Sequence, residues 1–87
     1  MRHFHDDQGR EWVATAREEA TPRHHGRWYL AFHPAGDASA PLPLPEIRWQ
    51  TAQSAARTLG TMSEFELLRR LLSARRRAGA EAPSRTA

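Results

Sequence analysis

Residues 63–77, SEFELLRRLLSARRR, decide the fold if they coil as one helix with two unlike sides. At about 100° per residue, Phe65, Leu67, Leu68, Leu71, Leu72, Ala74 and Ala78 take one half of the cylinder. Glu66, Arg69, Arg70, Ser73, Arg76 and Arg77 take the other. Arg75 falls on the apolar side near the end, where its stem can pack while its head reaches water. Ser63 with Glu66 has the spacing of a capping box and Met62 with Leu67 that of a hydrophobic staple; Thr61 with Glu64 is a rival start. Glutamate early and arginine late suit the helix dipole. Such a helix needs an apolar surface to lie on.

Just upstream, Thr51 has the chemistry of an N-cap, and Ala52, Ala55, Ala56 and Leu59 form a narrow stripe of small residues. Gly60 is placed to close this helix with a left-handed cap. The very short link to Ser63 predicts an antiparallel helical hairpin, about 52–59 and 64–77, with the alanines allowing close approach.

The surface for that hairpin comes from the first half of the chain, which reads as strands. DDQG at 6–9 is turn chemistry, with Gly9 free to take positive φ in a three-residue hairpin loop. RHFH precedes it, REWVATAREE follows, TPRHHG makes the next connection, and RWYLAFHP runs until Pro34 ends it. Setting Arg27 opposite Glu19 pairs Leu30 with Ala16 and Phe32 with Ala14; setting Asp6 opposite Arg10 pairs Phe4 with Trp12. One face then carries Phe4, Trp12, Ala14, Ala16, Trp28, Leu30 and Phe32. The other carries Val13, Thr15, Arg17, Tyr29, Ala31 and His33 and is expected to be half polar and wet. HPAGDASAPLPLP at 33–45 reads as a loop because of its prolines, and EIRW at 46–49 as a short extended piece, a candidate edge strand.

The predicted fold is α+β: a three-stranded antiparallel meander (about 2–5, 10–19, 27–33) covered on one face by the helical hairpin. Residues 1–78 form one small domain and 79–87 a flexible tail. Without cysteine there are no disulfides, thiolate ligands or thiol nucleophile. No apolar run resembles a signal peptide or spans a bilayer, so a cytoplasmic chain with no membrane partner is expected.

All 13 basic residues are arginine, a bias that a GC-rich, prokaryotic coding sequence writes unaided, so their distribution says more than their number. Residues 1–45 carry five arginines against six carboxylates; residues 46–87 carry eight against four. The basic character therefore belongs to the carboxyl-terminal half.

The absence of a nucleophile elbow, a phosphate-cradling glycine loop or a zinc-protease motif argues against an enzyme. His3 and His5 share a strand face, and Asp6, Asp7, His24, His25 and His33 lie elsewhere. These spacings match no established metal site, so no metal or cofactor is expected, and a histidine site stays a remote alternative. Asp6 and Asp7 fit turn residues better than an acid–base pair. The rings and guanidinium groups carry more information. Arg17, Tyr29 and His33 on the open face, with Arg48 and Trp49 before the helices, have the composition of a protein interface. The expectation is a small adaptor or regulator that binds another protein or itself. The alternative is sequence-tolerant nucleic-acid binding by Arg69, Arg70, Arg75, Arg76 and Arg77. Against both stands the simpler account that these arginines are the solvated back of a packed helix.

Overall fold

A computed structural model describes residues 1–19 and 27–81. Its elements are β1 (Arg2–His5), β2 (Glu11–Glu19), β3 (Arg27–Pro34), β4 (Leu42–Trp49), α1 (Ala52–Thr61) and α2 (Glu64–Glu81). The strands form one antiparallel sheet in the order β1-β2-β3-β4, and both helices lie on one face of it. The first hairpin turns as its chemistry dictates: Gly9 has φ 80°, and its N–H donates to the Asp6 carbonyl at 3.0 Å. The register follows the large-against-small pattern, with Phe4 opposite Trp12, Ala14 opposite Phe32, Ala16 opposite Leu30 and Glu19 opposite Arg27. The connection at 20–26, with His24 and His25, lies outside the described residues.

The sheet has four strands where the sequence predicts three. Residues 42–45, read as loop, belong to β4, which pairs Leu42 with Phe32, Pro43 with Ala31 and Leu44 with Leu30 before a shift near Tyr29. An edge strand leaves one side of its backbone unpaired, and a missing N–H is tolerated there. The proline alternation thus permits an edge while excluding a central strand. Leu42 and Leu44 turn inward, and Leu44 is fully buried.

The core lies between the sheet and the helices: Phe4, Trp12, Ala14, Leu30, Phe32 and Leu44 from the strands, Leu59, Leu67, Leu71 and Ala74 from the helices. Phe4 and Phe32 meet edge to face, centroids 5.9 Å apart. Each helix packs on the sheet rather than on its neighbour: α1 lies over β2, β3 and β4, and α2 over β1, β3 and β4. The alanine stripe therefore does not join the helices as predicted. Ala55 and Leu59 face the sheet, and Ala52 and Ala56 are exposed. Thr51 caps α1 as expected, its hydroxyl accepting from the Ser54 N–H at 3.0 Å. Gly60 does not close it; the helix continues to Thr61, and the Met62 N–H donates back to the Thr58 carbonyl. Ser63 caps α2 through the Glu66 N–H at 3.1 Å.

Two contacts fasten the short β1 to the helices. Arg2 Nη1 donates to the Leu59 and Gly60 carbonyls, both at 3.2 Å, so a cation caps the carboxyl end of α1. Arg75 reaches Asp6, as described below. At the far end α2 runs on to Glu81, three residues past 78, because one glycine costs a helix only about 1 kcal/mol and Gly79 stands among alanines. Residues 82–87 of the expected tail lie outside the described residues.

Candidate functional site

The side of α2 facing the sheet is narrower than the leucine count suggests. Leu67, Leu71 and Ala74 are buried, and they span a slim arc. Phe65 lies about 150° around the helix from that arc and is 73% exposed, and Leu72 is 38% exposed. Both were assigned to the packed side by periodicity; a flat sheet touches only a stripe of a cylinder, and they fall outside it. Leu68 is half-buried at the margin and packs on the core.

The arginines divide as well. Glu66 accepts from Arg70 Nε at 2.7 Å and lies 3.6 Å from Arg69 Nη2, so one carboxylate serves both. Arg76 Nη2 donates to the Ser73 hydroxyl at 3.3 Å and remains exposed. Arg69, Arg70, Leu72, Ser73 and Arg76 line an open depression of about 310 Å³. Arg77 is half-buried at the helix flank. Arg75 leaves the cationic patch altogether. Its guanidinium lies 5.0 Å from the Trp12 ring centroid, with Nη2 3.5 Å from Asp6 Oδ2, rather than standing free in water.

That contact completes a polar cluster built on a turn residue. The Asp6 side chain has 0% exposure. Its Oδ1 accepts from the Gln8 and Arg10 N–H groups, and its Oδ2 from Trp12 Nε1, all at 2.9 Å. Burial by itself would raise the Asp6 carboxyl. The hydrogen bonds from Arg10, Trp12 and Gln8, with the Arg75 charge, outweigh it and hold the pKa below the ordinary 3.8. Asp37 is lowered too, by the Ser39 hydroxyl and N–H.

The sign of the resulting pH dependence is fixed. A carboxyl with a depressed folded pKa contributes its stability in full above the unfolded value of about 3.9, and loses it as pH falls through the lower folded value. Urea midpoints measured from about pH 5 down to pH 2 should therefore fall, and Asp6→Asn, weaker at neutral pH, should show a flatter acid limb. Equal acid limbs would remove Asp6 from the account.

The open face of the sheet carries the other predicted residues. Arg17, Tyr29 and Arg48 are consecutive partners across β2, β3 and β4, and they form one row. Tyr29 is half-buried between the two exposed arginines. Arg48 is fixed in direction: Nε donates to the Pro45 carbonyl at 2.6 Å, and Nη1 lies 3.6 Å from Glu19 Oε1. Arg27, Arg48, Trp49 and Gln50 line a recess of about 250 Å³. Trp49 pairs with Trp28 across β3 and β4 and packs its indole against the core. Trp28, expected in the core, is only half-buried.

The middle of this face is drier than predicted. Val13 and Ala31 are buried, Val13 in a row between His3 and His33, and Ala31 in a row between Thr15 and Pro43. Larger neighbours screen these small groups although no described helix covers them. His33 Nδ1 is 2.9 Å from the Pro34 carbonyl oxygen, and His3 Nδ1 is 3.1 Å from Glu11 Oε2. Among the described residues, no three histidine or acidic side chains cluster closely enough to hold a metal ion. No described helix is long and apolar enough to cross a membrane.

A sequence signal for the Asp6 cluster exists, since a core tryptophan needs an acceptor for its N–H and the turn leading into β2 supplies carboxylates at Asp6 and Asp7. The β4 recess had no such signal, because it depends on a strand that its prolines hide. Comparison with protein-family models, with curated proteins and with solved structures finds no match for this chain.

Proposed function

We propose that this chain is a non-enzymatic, cytoplasmic binding module that engages another protein through the outer face of α2. The observation that carries this reading is Phe65: a phenylalanine 73% exposed, set opposite the core, with Leu72 two turns along the same face. Arg69 and Arg76 lie between and beyond them. Aromatic and arginine side chains on one face are what protein interfaces enrich, and isolated solvation explains the arginines but not the phenylalanine.

The charge favours a different protein over a second copy. Two-fold pairing of α2 about Leu72 sets arginine against arginine, whereas a partner with carboxylates beside an apolar anchor complements the face. Nucleic acid is less favoured here than the sequence suggested, since Glu66 offsets Arg69 and Arg70, and Arg75 faces Asp6.

The test is affinity capture from nuclease-treated native extract with wild type and with Phe65→Ser/Leu72→Gln, both quantified by mass spectrometry. Because both positions are exposed, the variant should keep its melting temperature within about 2 °C. The expected result is a captured species depleted at least about tenfold by the variant. Equal capture by the two proteins, or capture that nuclease abolishes, would rule out the α2 reading.

A further inference from the structure

We propose a second binding site, on the opposite side of the molecule from α2's outer face, that takes single-stranded nucleic acid. It consists of the Arg17–Tyr29–Arg48 row, Arg27 one step along β3, and the recess beside Trp49. No described helix covers this part of the sheet, and the cluster of Phe4, Trp12, Leu30, Phe32 and the helix leucines lies on its other face.

Composition and placement identify the ligand. Tyr29 stands on an inner strand, with Arg17 directly across on one side and Arg48 on the other. Neighbouring strands lie about 4.8 Å apart, so the two guanidinium stems rise within reach of both edges of one ring. Arg27, two residues from Tyr29, shares its face because side chains alternate along a strand. Glu19, paired with Arg48, and Glu46, two residues before Arg48 on β4, are the nearby acids among the described residues. Three arginines against two carboxylates leave this corner net positive.

Arg48 is also oriented in advance. Its contacts to Pro45 and Glu19 hold the fork in place, and less side-chain freedom remains to be lost when a phosphate oxygen approaches.

The form of the surface separates nucleic acid from a folded protein. A protein hot spot seats an anchor in a desolvated pocket, and this corner offers a sheet face and a recess of about 250 Å³ walled by Arg27, Arg48, Trp49 and Gln50. A nucleobase needs only a ring face to stack on, and its phosphates need only guanidinium groups. Beyond Tyr29 on the same face come Ala31, buried and flanked by Thr15 and Pro43, and then His33. Tyr29 and His33 share the face about 13 Å apart along the strand, two ring-bearing positions that one extended chain can pass over. Duplex DNA cannot present a base face to Tyr29, so the site selects single strands. Nothing in it reads base edges, so binding is tolerant of sequence.

The test is fluorescence anisotropy with a labelled oligothymidylate of about ten nucleotides, the matching duplex, and an oligoglutamate of similar length. The single strand should bind saturably at about 50 mM salt, with a log–log salt slope of about −1.5 to −2, as expected for two to three phosphates neutralised. Tyr29→Leu should weaken it about tenfold or more while Tyr29→Phe retains it, and Arg17→Gln should reduce the slope by about 0.7. Phe65→Ser/Leu72→Gln and Arg69→Gln/Arg70→Gln/Arg76→Gln should leave it unchanged, which separates this site from the one on α2. The proposal is overturned by no saturable binding, by unaltered binding in Tyr29→Leu, by the duplex or oligoglutamate binding as tightly, or by loss confined to the α2 variants.

Discussion

Asp6→Ala should lower the thermal unfolding midpoint by on the order of 10 °C, followed by circular dichroism. The substitution removes one small side chain from a turn, where a change is ordinarily mild. Here it takes away the acceptor of three hydrogen bonds, from the Gln8 and Arg10 amides and from Trp12 Nε1. The Trp12 N–H is left in a buried place with no acceptor, and Arg75 loses its counter-ion while still held over the indole. Asp6→Asn separates these effects. It can still accept from the backbone amides, but its amide nitrogen, if turned to Trp12 and Arg75, sets donors against donors. Its midpoint should lie between wild type and alanine. An Asp6→Ala midpoint within about 2 °C of wild type would show that the cluster is incidental to stability.

The second large effect separates adjacent leucines. Leu71→Ala should cost about 2–5 kcal/mol, because Leu71 is fully buried between α2 and the sheet and its removal leaves a cavity as well as lost transfer energy. Leu72→Ala, one position along and 38% exposed, should cost well under about 1 kcal/mol. For a chain of this size total stability is on the order of 4–13 kcal/mol, so the first change approaches unfolding and the second is barely seen. Urea denaturation reads the difference as a shift of midpoint at unchanged slope. Equal losses would mean that α2 is rotated from the orientation described, and Phe65 would then no longer mark a free face.

These pairs also show why the chain is only partly legible from its residues. The strand register could be read because each pairing had two independent supports: Glu19 against Arg27, and large Leu30 and Phe32 against small Ala16 and Ala14. The fourth strand could not, since Pro41, Pro43 and Pro45 carry the chemistry of a loop unless a neighbour is known to pair on one side alone. Helical periodicity located α2 but not its contact stripe, because the width of that stripe belongs to the shape of the sheet. Of the candidate binding residues, Arg17, Tyr29 and Arg48 come together in one row, and Arg69, Arg70 and Arg76 gather around Leu72 and Ser73. Arg75 and Trp49 turn toward the body of the protein instead. No local pattern distinguishes an arginine that stays outside from one that finds a buried carboxylate 69 positions earlier in the chain.

The fastening of β1 has a consequence for biosynthesis. Arg2 finds its acceptor carbonyl 57 positions later, and Asp6 finds its cation in α2, so an early strand is secured by segments made well after it. On the ribosome the β1–β2 hairpin must wait with one margin loose until α2 emerges from the exit tunnel. A nascent chain stalled before Arg75 should therefore expose β1 to protease, and one lengthened until α2 has left the tunnel should protect it.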